Sequence, residues 1–157
     1  MAIEIERKFL VDTSLLEPLG KGARIVQGYL PTEGKTTVRA RIKDEKAFLT
    51  LKGVNTGMSR LEFEYEIPVA DAEKIISALC DGAQVEKTRY EIQHENHLWE
   101  LDIFHGENDG LVVAEVELKS ESETVSHPKW VTEEVTGLPQ YYNANLLTNP
   151  YKKWRKS

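Results

Sequence analysis

The sequence predicts an α+β fold built on a barrel-like, mostly antiparallel sheet. Three observations predict it: about eight segments alternate with period 2, their connections are short and polar, and one later stretch repeats with helical period. At 157 residues, 40% hydrophobic and 29% charged, the chain has the length and composition of one globular domain spanning 1–157. No internal repeat, linker or low-complexity tract divides it.

The first strand, Ile3 to Val11, sets Glu4, Glu6 and Lys8 on one face and Ile3, Ile5 and Phe9 on the other, because side chains at i, i+2 and i+4 share a face. The second, Arg24 to Leu30, ends at the turn Pro31-Thr32-Glu33-Gly34. In the third, Thr36 to Lys43, Arg39, Arg41 and Lys43 oppose Val38, Ala40 and Ile42. The polar Lys43-Asp44-Glu45-Lys46 leads into the fourth, Phe48 to Lys52, where Lys52 opposes Leu49 and Leu51. The fifth, Arg60 to Ile67, sets Arg60, Glu62, Glu64 and Glu66 against Leu61, Phe63, Tyr65 and Ile67.

A helix over Ala70 to Cys80 follows, with Ala72, Ile75, Ile76 and Leu79 on one face behind the capping-type Asp71. The sixth strand, Val85 to Gln93, carries Lys87, Arg89 and Glu91 opposite Tyr90 and Ile92. The seventh, His97 to Phe104, carries Glu100 and Asp102 opposite Trp99, Leu101 and Ile103. After a turn over Gly106 to Gly110, the eighth, Leu111 to Lys119, carries Glu115, Glu117 and Lys119 opposite Ala114, Val116 and Leu118. Further helical pieces are expected near Pro128 to Glu134 and Tyr141 to Thr148.

For any one strand, a solvated face explains such alternation. Seven charged faces that group by sign are a stronger signal: basic residues dominate the third, fourth and sixth strands, acidic residues the fifth, seventh and eighth. Periodicity does not say which face points inward. A charged interior must be wet, because unpaired ions in a dry space lose several kcal/mol of hydration, and it makes sense only as a binding site for charged ligands.

Composition excludes several classes. A net charge of −6 argues against a nucleic-acid binder, which holds phosphates with clustered Lys and Arg. Glu4, Glu6, Arg7 and Lys8 follow Met1 almost at once, with no apolar run for a signal peptide or membrane span, so a cytoplasmic location is expected. Cys80 is the lone cysteine and reads as a core residue. The histidines at 94, 97, 105 and 127 do not fall together on the charged faces, and Trp99, Trp130, Tyr29 and Tyr90 read as packing groups between sheet and helices.

Glu4-Ile5-Glu6-Arg7-Lys8 fits an ExExK signature, and it is followed in order by Val38-Arg39-Ala40-Arg41, Leu49-Thr50-Leu51-Lys52-Gly53, Arg60-Leu61-Glu62-Phe63-Glu64, Lys87-Thr88-Arg89, Trp99-Glu100-Leu101-Asp102 and Ala114-Glu115-Val116-Glu117-Leu118. On these segments the chain resembles the CYTH superfamily, the triphosphate tunnel metalloenzymes, over nearly its whole length. Pro128-Lys129-Trp130, Glu134-Val135-Thr136 and Tyr141-Tyr142-Asn143-Ala144-Asn145-Leu146 look like the C-terminal region of its short bacterial members, although Leu138-Pro139-Gln140 replaces the more polar approach expected there. The resemblance implies an eight-stranded antiparallel tunnel with its charged faces inside and a C-terminal helix closing one mouth.

It also implies a divalent-metal-dependent hydrolase of a linear triphosphate, with a small polyphosphate as partner, neither nucleic acid nor membrane, and a homodimer left open. A triphosphate needs cations along an extended groove, which assigns Lys8, Arg39, Arg41, Lys52, Lys87 and Arg89 to substrate binding. Mg²⁺ or Mn²⁺ prefers carboxylate oxygens, which makes Glu4, Glu6, Glu115 and Glu117 the metal set, with Glu62, Glu64 and Asp102 in support. Lys8, Arg41, Glu6 and Glu117 are the candidate catalytic residues. Inorganic tripolyphosphate is the favoured substrate. ATP cyclisation, hydrolysis of ATP or thiamine triphosphate, and silent polyphosphate binding are the alternatives.

Overall fold

Nine strands and one α-helix make up the computed structural model, which describes residues 3–80 and 84–154. The strands are β1 (Ile3–Val11), β2 (Ala23–Leu30), β3 (Thr37–Lys43), β4 (Lys46–Lys52), β5 (Ser59–Ile67), β6 (Val85–His94), β7 (His97–Phe104), β8 (Val112–Glu117) and β9 (Val131–Glu134); α1 spans Val69–Ala78. Two-residue turns join β3 to β4 and β6 to β7, with Asp44 and Glu95 both at φ 52°.

Pairing runs antiparallel in the order β5-β4-β3-β2-β6-β7-β8-β1, and β1 returns to β5 through Ile3↔Leu61, Glu4↔Arg60 and Ile5↔Ser59. The result is a closed eight-stranded antiparallel barrel. Further along β1, the same edge is taken by β9, which pairs Phe9↔Glu134 and Val11↔Val131. Residues 131–134, expected to be helical, are therefore a ninth strand, because the open edge of β1 offers backbone hydrogen bonds that so short a helix could not match. Residues 141–148 also differ in detail. They form short 3-10 turns at Pro139–Tyr141 and Asn143–Leu147 instead of an α-helix.

The apolar residues pack on the outside of this barrel. Phe9, Trp99, Leu101, Ala114 and Val116 face outward and are covered by Leu16, Leu19, Val125 and Trp130, with the Trp130 ring edge-on to Trp99 at 5.8 Å. Burying one such indole removes roughly 150–250 Å² from water, worth about 4–6 kcal/mol before entropy is counted. On the opposite flank α1 lies over β2, β3 and β4, burying Ala40, Ile76 and Cys80. Gly28 permits that approach, since a Cβ there would sit 2.9 Å from the Cys80 sulfur. A third cluster, Val85, Phe104, Leu111 and Val113, is capped by Leu146, Tyr141, Leu147, Tyr151 and Trp154. Val85, Phe104 and Val113 share strand faces with Lys87, Asp102 and Glu115, so the C-terminal segment seats an apolar plug on the tunnel-facing side. Among the described residues no helix is long and apolar enough to cross a membrane.

Candidate active site

With the apolar faces outside, the charged faces converge within. Lys8, Arg39, Arg41, Lys52, Lys87 and Arg89 line one cavity of about 420 Å³ together with Glu4, Glu6, Glu62, Glu64, Glu100, Glu115 and Glu117. These residues come from β1, β3, β4, β5, β6, β7 and β8, so closure of the sheet is what brings them together. Asp102 stands behind this lining. It is fully buried, with its oxygens 2.7 Å from Lys87 Nζ and 2.7 and 2.9 Å from Arg89 Nε and Nη2.

The burial of so many ions is balanced pair by pair. Burial alone would raise Asp102, but Lys87 and Arg89 outweigh it and hold its carboxyl down to about 2. Lys87 is pushed down to about 7 by burial, against the pull of Asp102 and with the push of Arg89 and Arg41. Burial and the neighbouring Arg39 and Arg89 lower Arg41 to about 9. Lys52 lies 3.1 Å from both Glu4 and Glu62. Arg39 donates to Thr50 at 3.2 Å, and its Nε is buried without a hydrogen-bond partner.

The carboxylates come in twos. Among the described residues no three acidic, histidine or cysteine side chains form a ready-made metal cluster. Glu4 is hydrogen-bonded to Glu62, and Glu6 to Glu115. Two carboxylates can bond in this way only by holding a proton. Burial and Glu62 push Glu4 up to about 7 against Lys52, and burial and Glu115 push Glu6 well above the usual range. Glu115, which burial alone would raise, is held low by Lys8, by the bond from Glu6 and by Arg89. The residues therefore fit a hard divalent cation, which would neutralise the paired oxygens in the proton's place.

This has a pH consequence. Glu4 and Glu6 bind protons more tightly folded than unfolded, so the contribution of Glu4 to stability falls as pH rises from about 4.5 through about 7, and that of Glu6 falls in the same sense. Asp102 and Glu115 act in the opposite sense, and their contribution is lost only in stronger acid. The metal-free protein should melt roughly 5–10 °C lower at pH 7 than at pH 5. Mg²⁺ or Mn²⁺ should remove most of that difference; a flat metal-free profile would mean that the carboxylates are not paired.

Several lining residues had no charged pattern to announce them. Tyr29 lines the cavity from β2, Phe48 from β4, and Tyr142 and Asn143 from the C-terminal segment, while Gln27 and Thr50 share the inward strand faces but are fully buried behind the lining. Tyr29, expected to pack between sheet and helices, instead lines the cavity because it shares the inward parity of Gln27 on β2. The histidines stay outside: His105 bonds Thr88, His94 bonds Ser126, His97 lies 2.5 Å from Glu123, and His127 meets Phe9 edge-on.

Residues 2–148 match the CYTH domain. The chain belongs to the CYTH family. This CYTH chain is 47% identical over 156 residues to an inorganic triphosphatase of Acetivibrio thermocellus, across 99% of the chain and 100% of the relative. An inorganic triphosphatase of Nitrosomonas europaea is 40% identical over 149 residues, 91% of the chain and 95% of the relative. A crystal structure of the inorganic triphosphatase NE1496 superposes with a TM-score of 0.65 at 37% identity, covering 94% of the chain and 95% of that protein. The closed barrel with one extra strand and a single α-helix is thus the CYTH tunnel fold.

Proposed function

We propose that this chain is a hydrolase that cleaves inorganic tripolyphosphate to pyrophosphate and phosphate inside its tunnel, with Mg²⁺ or Mn²⁺ as cofactor. The observation that carries this reading is one cavity in which eight cations, Lys43 and Arg60 with the six assigned above, face paired carboxylates. Two relatives of nearly the same length, both named inorganic triphosphatases, support it.

In this reading Arg39, Arg41, Arg89, Lys8, Lys52 and Lys87 grip the phosphoryl oxygens, the arginines as forks and the lysines as point charges. The partnerless Arg39 Nε gains an acceptor when a phosphoryl oxygen arrives. A polyanion beside Lys87 restores the proton that burial loosens. Glu4, Glu6, Glu115 and Glu117, with Glu62 and Glu64 beside them, would hold the metal, which when bound supplies charge neutralisation and an activated water. Asp102 is reassigned from metal ligand to counter-ion for Lys87 and Arg89, since both its oxygens are already taken. Lys8 and Arg41, beside Glu6 and Glu117, stabilise charge as the anhydride bond breaks, and no side-chain nucleophile is required.

Phosphate release should be compared on tripolyphosphate, pyrophosphate, ATP and thiamine triphosphate, with cyclic AMP measured in parallel. Tripolyphosphate should be cleaved at least about tenfold faster than ATP, because a tunnel that grips only phosphates gains little from a nucleoside. Cyclic AMP as the main product from ATP would point to a cyclase and sink this assignment.

A second copy of the chain is the partner proposed for the outer face of β5. Leu61, Phe63 and Tyr65, with Ile3 of β1 paired beside Leu61, lie between 44% and 58% exposed, while α1 packs chiefly over β2 to β4. With Leu49 and Leu51 half-buried alongside, the strip approaches the few hundred Å² at which an apolar patch marks a contact site. A twofold axis through Phe63 sets Leu61 of one copy on Tyr65 of the other. Light scattering should show a dimer that Phe63→Lys converts to a monomer with hydrolysis retained. A wild-type monomer at high concentration would remove the proposal.

A further inference from the structure

Gln27 is a neutral residue at full burial among the tunnel's ions, and it touches three of their neighbours. Its Oε1 accepts from Arg41 Nε at 2.8 Å, and its Nε2 donates to the Tyr29 hydroxyl at 2.9 Å and to Asn143 Oδ1 at 3.2 Å. Asn143 Oδ1 also accepts from Lys87 Nζ at 2.8 Å. Arginine Nε and a charged lysine only donate, so each cation dictates the orientation of the amide beside it. Turning either amide over would set donor against donor. Arg41, Gln27, Asn143 and Lys87 therefore form one connected chain across β3, β2, the C-terminal segment and β6.

Arg89 shows the contrasting arrangement. Its guanidinium is held by the carboxylate of Asp102, which fixes its direction and also cancels its charge. Arg41 is held from the Nε side by a neutral amide, which fixes the guanidinium plane yet leaves its positive charge and its Nη fork for an anion.

We propose that Gln27 is a positioning residue that aims Arg41 at the substrate without neutralising it and, through Asn143, makes that aim depend on the C-terminal segment being seated. This rests on the polyphosphate reading above and deepens it. The anion grip and the closure of the tunnel become one unit.

The test uses Gln27→Glu, Gln27→Met, Asn143→Ala and the double variant Gln27→Met/Asn143→Ala. Gln27→Glu keeps the shape and strengthens the bond to Arg41 but gives up the Nε2 donor to Asn143, whereas Gln27→Met gives up the same donor without adding a charge. The proposal expects KM for tripolyphosphate to rise about tenfold or more in Gln27→Glu beyond any rise in Gln27→Met, because only Glu cancels the Arg41 charge. Gln27→Met should lower kcat by roughly ten- to a hundredfold, and the double variant should be no worse than the poorer single one, because both break the same chain. A KM in Gln27→Glu no higher than in Gln27→Met, or additive losses in the double variant, would overturn it. The Arg41 Nε–Hε resonance gives a readout free of activity: it should be slow to exchange in the wild type and should move in Asn143→Ala. If the wild type cleaves no tripolyphosphate, the functional reading fails while this resonance still decides the coupling. A resonance that stays put in Asn143→Ala would refute the coupling on its own.

Discussion

Replacing Glu6 by Gln should cut turnover of tripolyphosphate by at least about a hundredfold while leaving the metal-free protein at least as stable as before at neutral pH, because Gln lifts the cost of keeping the buried carboxyl protonated. The two halves of this result have one cause. Burial and Glu115 hold the Glu6 carboxyl protonated well above the usual range, so in the metal-free protein the side chain already resembles an amide in charge and shape. Gln keeps the donor that bonds Glu115 and removes the proton that a metal would displace. The wild type should lose activity on exhaustive chelation and regain it with Mg²⁺ or Mn²⁺, whereas Glu6→Gln should not recover. Lowered Tm with turnover intact would mean that the carboxylate is a structural group and that the metal lies elsewhere.

Asp102→Asn should act in the opposite way, on the fold before the chemistry. The substitution removes the one negative charge that faces both Lys87 Nζ and the Arg89 guanidinium at full burial. An uncompensated buried charge costs about 3–5 kcal/mol, which for a domain of this size is a fall in Tm of roughly 6–20 °C. The loss should be present without metal. If metal-free Asp102→Asn melts like the wild type and only the response to Mg²⁺ is weakened, Asp102 is a ligand after all.

Seven of the eight barrel strands were legible from charged faces that alternate along them, and β1 shows why the inside was not. Glu4, Glu6 and Lys8 would serve equally well as a solvated face, and what decides between the two is whether Ile5 and Phe9 find cover from Leu16, Val125 and Trp130, segments with no periodic pattern. The strand Val131–Glu134 was misread because four residues carry little propensity, and the edge of β1 that they join is a tertiary fact. At the C-terminus a helical piece was expected over 141–148, but Pro139, Asn143, Asn145 and Pro150 break the segment into short turns. Within the site, sequence could put Asp102 on the inner face but could not show that its oxygens were taken. Gln27 gave no signal at all, since an uncharged amide on an otherwise apolar strand face has nothing to distinguish it until Arg41 is seen beside it.

The divided edge of β1 bears on how the chain is made. That strand holds register with residues 59–61, with 113–117 and with 131–134, so two of its three partners leave the ribosome about 100 residues after it. At a synthesis rate of about 5–20 residues per second, the wait is roughly 5–20 s. The hairpins β3–β4 and β6–β7 close on two-residue turns and can form as they emerge, but the cylinder cannot shut before β8 arrives. Glu4 and Glu6 thus leave the ribosome well before the strands that fix them in place. Throughout that interval the nascent sheet is an open ribbon in which β4 can already pair with the acidic β5 and β6 with the acidic β7, while Lys8 has yet to meet Glu115 on β8.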